Sequence, residues 1–254
     1  MTRPCAVVLL AAGSVLAPAT GTAQPPPLVV SVAASLADVM SELARRHEHA
    51  TGQAVRLNVA GSNLIARQIV EGARVDAVIS ADEAQMDVVE AAGRLVPGTR
   101  VALLTNQLVV VGRPGGALHV DGATALAAPA VGRLAMGNPQ SVPAGVYARR
   151  WLERQGVWAR ISPKVVPALS VRAALASARA GRVDAAVVYA TDAAIEPSVP
   201  VLYRVPAADA PPIVYPAAVV RGPNQAAAAQ FVAYLRSPDA GTAFRAAGFG
   251  LAAP

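Results

Sequence analysis

The sequence lacks most of the residues on which catalytic, redox and nucleic-acid-binding sites depend. Of its 254 residues one is a cysteine, three are histidines and 4% are aromatic. A single cysteine allows no internal disulfide, and Cys5 lies within the N-terminal segment that we predict below to be removed. The net charge of +6 comes from scattered arginines without a run of like charge, and few aromatic side chains are available to stack on bases. We therefore expect no nucleic-acid partner.

Recognisable catalytic motifs are missing as well. His47 and His49 are two residues apart in a predicted helix and point in different directions, which favours a solvated helix face over a metal pair. The sequence has no HExxH motif, cysteine cluster or phosphate-binding glycine loop. Ser62 follows a predicted strand and opens a helix, as a hydrolase nucleophile does, but the GxSxG spacing is absent and only His119 follows it. We predict that the protein is not an enzyme, with a secreted serine hydrolase using Ser62 as the alternative from a different class.

The first 23 residues have the pattern of a secretory signal peptide. Arg3 supplies the basic start, an apolar run covers residues 6–17, and the small residues Gly21 and Ala23 suit signal peptidase. The run is too short to span a membrane in the mature protein. Cys5 precedes the run, whereas a lipoprotein cysteine would follow it. We predict cleavage after Ala23 and a periplasmic location.

Segments typical of strands and helices alternate through the rest of the chain. Hydrophobic residues make up 54% of the sequence, enough for a substantial core. The apolar pattern predicts strands at 28–34, 55–60, 76–81, 107–112, 132–137, 164–169, 184–190 and 214–220, and helices at 35–50, 62–72, 83–93, 144–155, 170–180, 225–236 and 238–247. This alternation predicts an α/β fold with largely parallel sheets.

Two stretches of the chain are similar to each other. "SNLIARQIVEGARVDAVISA" begins at Ser62 and "SVRAALASARAGRVDAAVVYA" begins at Ser170. In both, a serine opens a predicted helix and the aspartate of an Arg-Val-Asp-Ala motif follows 14 residues later. The repetition predicts two lobes of related architecture, with a cleft between them in which a ligand site could form.

Several predicted helices begin directly where a strand ends. Ser35, Ser62 and Ser170 each open a helix. Pro143 stands at a fourth helix start, where its missing N–H group is not needed. Each serine alone is explained as a helix cap, and Asp38 nearly completes a capping box with Ser35. The first amides of a helix are unpaired and carry partial positive charge, so four such starts in one cleft would form an anion site without a cationic side chain.

The chain also carries, in this order, the motifs "AASLADVM", "SNLIARQI", "VDAVISADEAQMD", "NQLVVV", "GNPQSVPAGVYARRWLERQGVW", "VRAALASARAGRVDAAVVYATDA" and "VYPAAVV". Together they resemble periplasmic molybdate-binding proteins, the substrate-binding subunits of molybdate ABC transporters, over about residues 28–250. The resemblance implies a type II periplasmic binding protein fold, in which two α/β lobes joined by a two-crossover hinge hold molybdate or tungstate. It further implies a monomer without a cofactor that delivers the anion to an inner-membrane ABC permease. Another oxyanion such as sulfate, or an exported scaffold without a ligand, remains an alternative.

The resemblance also implies which residues contact the oxyanion: Ser35, Ser62, Ala144, Val171 and Tyr189. Four of them coincide with the helix starts identified from the residues alone, whereas Tyr189 would otherwise be assigned to the core. The chain departs from the family at Gly61 and Asn63, where the family often has serines. This departure leaves fewer hydroxyl donors beside Ser62.

The predicted strands indicate where the chain passes from one lobe to the other. The strand at 107–112 follows a complete first set of motifs, and the strand at 214–220 precedes the last helices. We therefore predict crossovers near 104–108 and near 214–218. Residues 28–106 and 218–254 would form lobe one, and residues 107–217 lobe two.

Overall fold

The computed structural model describes residues 26–253, so the predicted signal peptide at residues 1–23 lies outside the described residues. The strands are β1 (Leu28–Ala33), β2 (Val55–Ala60), β3 (Ala77–Ile79), β4 (Val101–Asn106), β5 (Leu108–Gly112), β6 (Leu134–Gly137), β7 (Val165–Ala168), β8 (Ala185–Tyr189), β9 (Val201–Arg204), β10 (Ile213–Val219) and β11 (Gly250–Leu251). The helices are α1 (Ala37–Thr51), α2 (Ser62–Val70), α3 (Glu83–Ala91), α4 (Pro143–Arg154), α5 (Trp158–Ile161), α6 (Val171–Arg179), α7 (Ala190–Ala194), α8 (Gln225–Leu235) and α9 (Pro238–Ala246). Short 3₁₀ helices cover Ala34–Leu36, Ala123–Ala127 and Ser162–Lys164. Within residues 26–253, none of the helices combines the length and the apolar character needed to cross a membrane.

The first sheet has the strand order β11-β4-β10-β3-β1-β2. β1 pairs in parallel with β2 and β3, so that Val30 lies opposite Leu57 on one side and Ala77 on the other. Helices α1 and α2 both contact β1, and burial on both faces explains its nearly unbroken apolar sequence LVVSVA. β10 runs antiparallel to β3 and β4, so the sheet is mixed.

The second sheet has the strand order β7-β6-β8-β5-β9. β6 pairs in parallel with β7 and β8, whereas β5 runs antiparallel to β8 and β9. Helices α4 and α6 contact this sheet, and β5 and β8 are buried at every position. The predicted α/β class is therefore confirmed, with two mixed sheets instead of largely parallel ones.

The chain passes between the two sheets at Gln107, the single residue that separates β4 from β5. It returns in the segment between β9 and β10, residues 205–212. Here Gln107 Nε2 donates to the carbonyl oxygen of Val205 at 2.8 Å, so the two connections lie side by side.

The return to the first sheet comes earlier than the predicted position near 214–218. β10 contains that stretch and pairs with β3 and β4, so residues 213–217 belong to the first sheet and not to lobe two. Pro216 does not interrupt the strand, because the register with β4 shifts between Tyr215 and Pro216, where the missing N–H group is tolerated.

The prediction of a solvated face for His47 is wrong. Its side chain is buried between α1 and α8, and its ring contacts Phe231 edge-on at 5.0 Å between centroids and Tyr234 at 5.2 Å. Burial lowers the pKa of His47 from its ordinary value of 6.5. His49 is exposed, as predicted.

Candidate functional site

One pocket lies where the two sheets face each other, at the carboxyl ends of several parallel strands. Its empty space, counted with the part open to solvent, is about 220 Å³. It is lined by Ala33, Ala34, Ser35, Gly61, Ser62, Ala81, Val142, Pro143, Ala144, Ser170, Val171 and Tyr189. The lining includes all five residues that the sequence predicted as ligand contacts. None of these lining residues carries a charged side chain. Any polar ligand of this pocket would therefore meet backbone groups and hydroxyls.

Ser35 reaches the pocket from the end of β1 but does not cap a helix. It lies inside the 3₁₀ helix Ala34–Leu36, and α1 begins two residues later without a side-chain cap. Its hydroxyl contacts the Tyr215 hydroxyl at 3.0 Å, and Asp38 contacts Arg172 instead of completing a capping box. The capping prediction for Ser35 is wrong because a distant strand supplies its hydroxyl with a partner.

Ser62 lies at the start of α2, where Gly61 occupies the cap position. Its hydroxyl does not cap the helix, because it accepts a hydrogen bond from the Ala81 amide at 3.0 Å. A Cβ at Gly61 would lie only 2.7 Å from the carbonyl oxygen of Leu169, so glycine at this position allows the two sides of the pocket to approach closely. At the pocket rim, the Asn63 amide faces the Ser141 hydroxyl at 3.5 Å. The two departures from the family motif thus lie at contacts between the two sides.

The start of α4 forms part of the pocket wall on the side of the second sheet. Pro143 is the first residue of this helix, as predicted, and Ala144 follows with its amide in the unpaired first turn. A Cβ at Gly145 would lie 1.9 Å from the Gly137 carbonyl oxygen at the end of β6. Glycine at position 145 therefore allows the helix start to pack directly against the strand end.

The start of α6 forms the neighbouring part of the wall. Ser170 is a true N-cap, since its hydroxyl accepts a hydrogen bond from the Ala173 amide at 3.2 Å. Val171 is the first residue of the helix and is buried in the pocket wall. Because the cap uses the third amide of the helix, the Val171 amide is left without an intrahelical partner.

Tyr189 ends β8 at the base of the pocket. Its side chain is 1% exposed, yet its hydroxyl has no hydrogen-bond partner among the described residues. Burial raises the pKa of Tyr189 well above 10, so the group remains a neutral O–H donor. A buried hydroxyl without a partner costs free energy, which a ligand in the pocket could recover.

Sequence reasoning missed an ion-pair cluster directly behind the pocket wall. Arg172, on α6 beside the second sheet, donates to the Asp192 carboxylate that follows β8. It also reaches the side of the first sheet, where it donates to Asp38 Oδ2 at 2.8 Å and to the Ser35 carbonyl oxygen at 3.3 Å. Asp192 is completely buried, and its Oδ2 has no partner among the described residues. Burial raises the pKa of Asp192 to about 6, although Arg172 opposes the shift. The cluster joins the two sides of the pocket without entering it.

A larger cavity lies beside the two crossovers, with about 1000 Å³ of empty space when the part open to solvent is counted. The side-chain amides in its lining are already engaged, since Asn106 donates to Thr191 at 2.9 Å and Gln107 donates to Val205. Much of the remaining lining consists of alanine, proline and aliphatic residues. Its two side-chain amides are thus satisfied within the protein, and Arg204 is the one charged residue of its lining. The smaller pocket instead brings together helix starts and hydroxyl groups without a charged side chain.

Comparison with known proteins identifies the family. The sequence profile described as "Bacterial extracellular solute-binding protein" matches residues 28–250. The molybdate-binding protein ModA of Escherichia coli (strain K12) is 37% identical over 226 residues, which cover 87% of this chain and 88% of that protein. These matches confirm the resemblance inferred from the motifs.

Solved structures lead to the same fold. The periplasmic molybdate-binding protein of Azotobacter vinelandii superposes with a TM-score of 0.80 at 27% identity, covering 89% of this chain and 100% of that one. The sulfate-binding protein SubI of Mycobacterium tuberculosis H37Rv superposes with a TM-score of 0.78 over 90% of this chain and 88% of that one, but at 16% identity it supports the fold alone. The predicted type II periplasmic binding protein fold is confirmed, and the chain belongs to the bacterial extracellular solute-binding proteins.

Proposed function

We propose that this protein binds molybdate or tungstate in the pocket between its two sheets and delivers the anion to an ABC permease at the periplasmic face of the inner membrane. The observation that carries the proposal is an uncharged pocket lined by hydroxyl groups and helix starts, to which Ser35, Ser62, Ala144, Val171 and Tyr189 all contribute. The names of the Escherichia coli and Azotobacter relatives support the choice of anion.

The chemistry of the pocket suits a fully deprotonated oxyanion. Molybdate is a dianion without a proton at neutral pH, so hydroxyl and amide donors can satisfy all its oxygens. A hydrogen bond to a charged group contributes about 1.5–3 kcal/mol, so one donor from each of the five residues amounts to roughly 8–15 kcal/mol before desolvation and closure costs. Sub-micromolar binding requires about 8 kcal/mol and lies within this range.

Hydrogen phosphate is disfavoured by the same donors. Its proton needs an acceptor, and an unpaired polar hydrogen in a buried site costs about 1–3 kcal/mol. Sulfate carries no proton at neutral pH and differs from molybdate in size, so it is the strongest rival ligand. The structural similarity to a sulfate-binding protein concerns the fold and leaves the choice between these anions to experiment.

A hydrolase that uses Ser62 has little support. The Ser62 hydroxyl accepts from the Ala81 amide, and none of the lining residues is a histidine, lysine or carboxylate that could take its proton. We propose that the protein has no catalytic activity and acts as a monomer.

We further propose that the two sheets move as two lobes that close on the anion. Residues 28–106 and the chain from Ile213 onward would form one lobe, and the second sheet the other. Contacts from Arg172 to Asp38 and Ser35, and from Asn63 to Ser141, join the two sides in the closed arrangement. Ligand donors on both sides would favour this arrangement, because they can engage one anion together only when the lobes are closed.

Calorimetric titration of the protein purified without ligand tests the function. We expect molybdate and tungstate to bind with sub-micromolar dissociation constants, sulfate to bind far more weakly and hydrogen phosphate to bind more weakly still. Stronger binding of sulfate than of molybdate would refute the assignment of the anion.

Serine variants test the location of the site. Ser35→Ala and Ser62→Ala should each weaken molybdate binding by about 10- to 150-fold, because each removes a charge-assisted hydrogen bond worth about 1.5–3 kcal/mol. Ser170→Ala is the matched control, since its hydroxyl caps α6 and the Val171 amide is the expected donor. It should lower stability by about 0.5–2 kcal/mol with little change in affinity. Equal and small losses of affinity in all three variants would place the anion elsewhere.

A further inference from the structure

The hydroxyl of Tyr215 lies between the proposed anion site and the first crossover. Tyr215 is on β10 and is completely buried. Its oxygen is 3.0 Å from the Ser35 hydroxyl and 3.1 Å from Asn106 Nδ2 at the end of β4. Three segments that are distant in sequence therefore form one chain of hydrogen bonds that ends at the pocket.

The direction of this chain is set at Asn106. Its Oδ1 accepts a hydrogen bond from the Gln107 amide at 2.9 Å, which identifies the other terminal atom as the nitrogen. The two hydrogens of Nδ2 go to Thr191 Oγ1 at 2.9 Å and to the Tyr215 oxygen. Since an amide nitrogen only donates, the Tyr215 oxygen is an acceptor in this contact.

The remaining hydrogen of Tyr215 then points to Ser35. Burial raises the pKa of Tyr215 well above 10, so its hydroxyl keeps its proton. With Asn106 already donating to the Tyr215 oxygen, the phenolic O–H donates to Ser35 Oγ. Ser35 accepts on that side, and its own proton is left for the pocket.

The Ser62 hydroxyl also has its proton available to the pocket, but here a backbone group is the donor to its oxygen. Its oxygen accepts from the backbone amide of Ala81, a donor that cannot be reversed. Both serines thus have an acceptor position filled from behind and a proton available to the pocket. For Ser62 the backbone sets this polarity, whereas for Ser35 two side chains outside the pocket lining set it.

We propose that Tyr215 and Asn106 are positioning residues that orient the Ser35 hydroxyl to donate into the pocket and thereby disfavour protonated oxyanions. This inference rests on the proposed function and adds the source of its selectivity. We call the hydrogen bonds from Asn106 through Tyr215 to Ser35 the relay. Without the relay, the Ser35 hydroxyl can rotate and accept the proton of hydrogen phosphate. Selectivity between molybdate and a protonated dianion is then reduced, even though the five predicted contact residues are unchanged.

The test is the ratio of the affinities for molybdate and hydrogen phosphate at pH 8, measured by displacement calorimetry. Both anions carry two negative charges at this pH, so changes in the overall electrostatic field cancel in the ratio. Tyr215→Phe removes the relay hydroxyl and should lower the ratio by about tenfold or more. Asn106→Asp replaces the donor by an acceptor of the same shape, so that Tyr215 turns toward it and Ser35 presents an acceptor. It should lower the ratio at least as far.

Phe249→Leu is the control for a purely structural effect. Phe249 packs edge-on against the Tyr215 ring at 5.6 Å, so its truncation disturbs packing but keeps the relay hydroxyl. It should lower the melting temperature and leave the ratio unchanged. If the wild type binds molybdate and both relay variants keep the wild-type ratio within twofold, the relay is refuted. A wild type that does not bind molybdate refutes the proposed function instead.

Discussion

Replacement of Arg172 by methionine tests whether this arginine keeps a buried carboxylate charged. The guanidinium contacts the completely buried Asp192 and connects it, behind the pocket wall, to Asp38 on the side of the first sheet. Burial raises the pKa of Asp192 from 3.8 to about 6 even with the arginine in place. Methionine keeps the apolar stem of the side chain but removes the cation, so we expect the pKa of Asp192 to rise further.

The expected loss of stability depends on pH. A carboxyl whose pKa is higher in the folded state favours the protonated form, so its contribution to stability is complete below pH 3.8 and declines as the pH rises. In the wild type the decline ends near pH 6, the folded-state pKa. In Arg172→Met it continues to higher pH, at about 1.4 kcal/mol per unit. The free-energy cost of the substitution should therefore be about 3 kcal/mol larger at pH 8 than at pH 5.

Urea denaturation of both proteins at pH 5 and pH 8 measures this difference. Arg67→Met is the matched control, because the Arg67–Glu71 pair is exposed and its removal leaves no buried charge. In an Asp192→Asn background, Arg172→Met should cost the same at both pH values. An equal cost of Arg172→Met at pH 5 and pH 8 in the wild-type background would show that Arg172 does not control the ionisation of Asp192.

Three further predictions follow from buried groups and close contacts. Burial lowers the pKa of His47, so the free energy of unfolding should fall as the pH drops below 6.5. Urea titrations at pH 7 and pH 5 should show a smaller loss of unfolding free energy in His47→Gln than in the wild type. Gly145→Ala places a Cβ against the Gly137 carbonyl oxygen and should destabilise the fold by about 3 kcal/mol or more in urea denaturation. Gly222→Ala is the control, because its Cβ meets open space and the variant should be as stable as the wild type. Tyr189→Phe removes a hydroxyl without a partner among the described residues, so calorimetry should show about 10-fold or greater loss of molybdate affinity while the unliganded protein melts at the same or a higher temperature.

The periodicity of apolar residues located most of the regular structure. β2 spans the predicted residues 55–60, and α2 begins at the predicted Ser62. Elements without a strong pattern were not predicted, among them the edge strand β9, which is half exposed, and α7, which has only five residues. In such short segments the tertiary contacts, and not the local sequence, determine the conformation.

The roles of the site residues divide in the same way. The motif identified Ser35 and Ser62 as pocket residues, but local spacing suggested helix caps for both. Their actual partners are Tyr215, 180 residues away, and Ala81, 19 residues away. The same limit applies to Arg172, because its contacts with Asp38 bring together segments 134 residues apart. A single sequence gives no signal for such pairs.

In the proposed movement of the two lobes, the two adjacent crossovers determine how the pocket opens. One connection is a single residue, Gln107, and the other begins at Val205, to which Gln107 is hydrogen-bonded. Parallel connections this close permit rotation about the line that joins them but resist sliding of one sheet along the other. Asn63 and Ser141 lie on opposite sides of the pocket, so the hydrogen bond between them would break on opening. Tyr215 and Asn106 lie on neighbouring strands of one sheet and would keep theirs. An anion could then leave through a wide rim while the hydrogen bonds that orient Tyr215 remain intact for the next binding event.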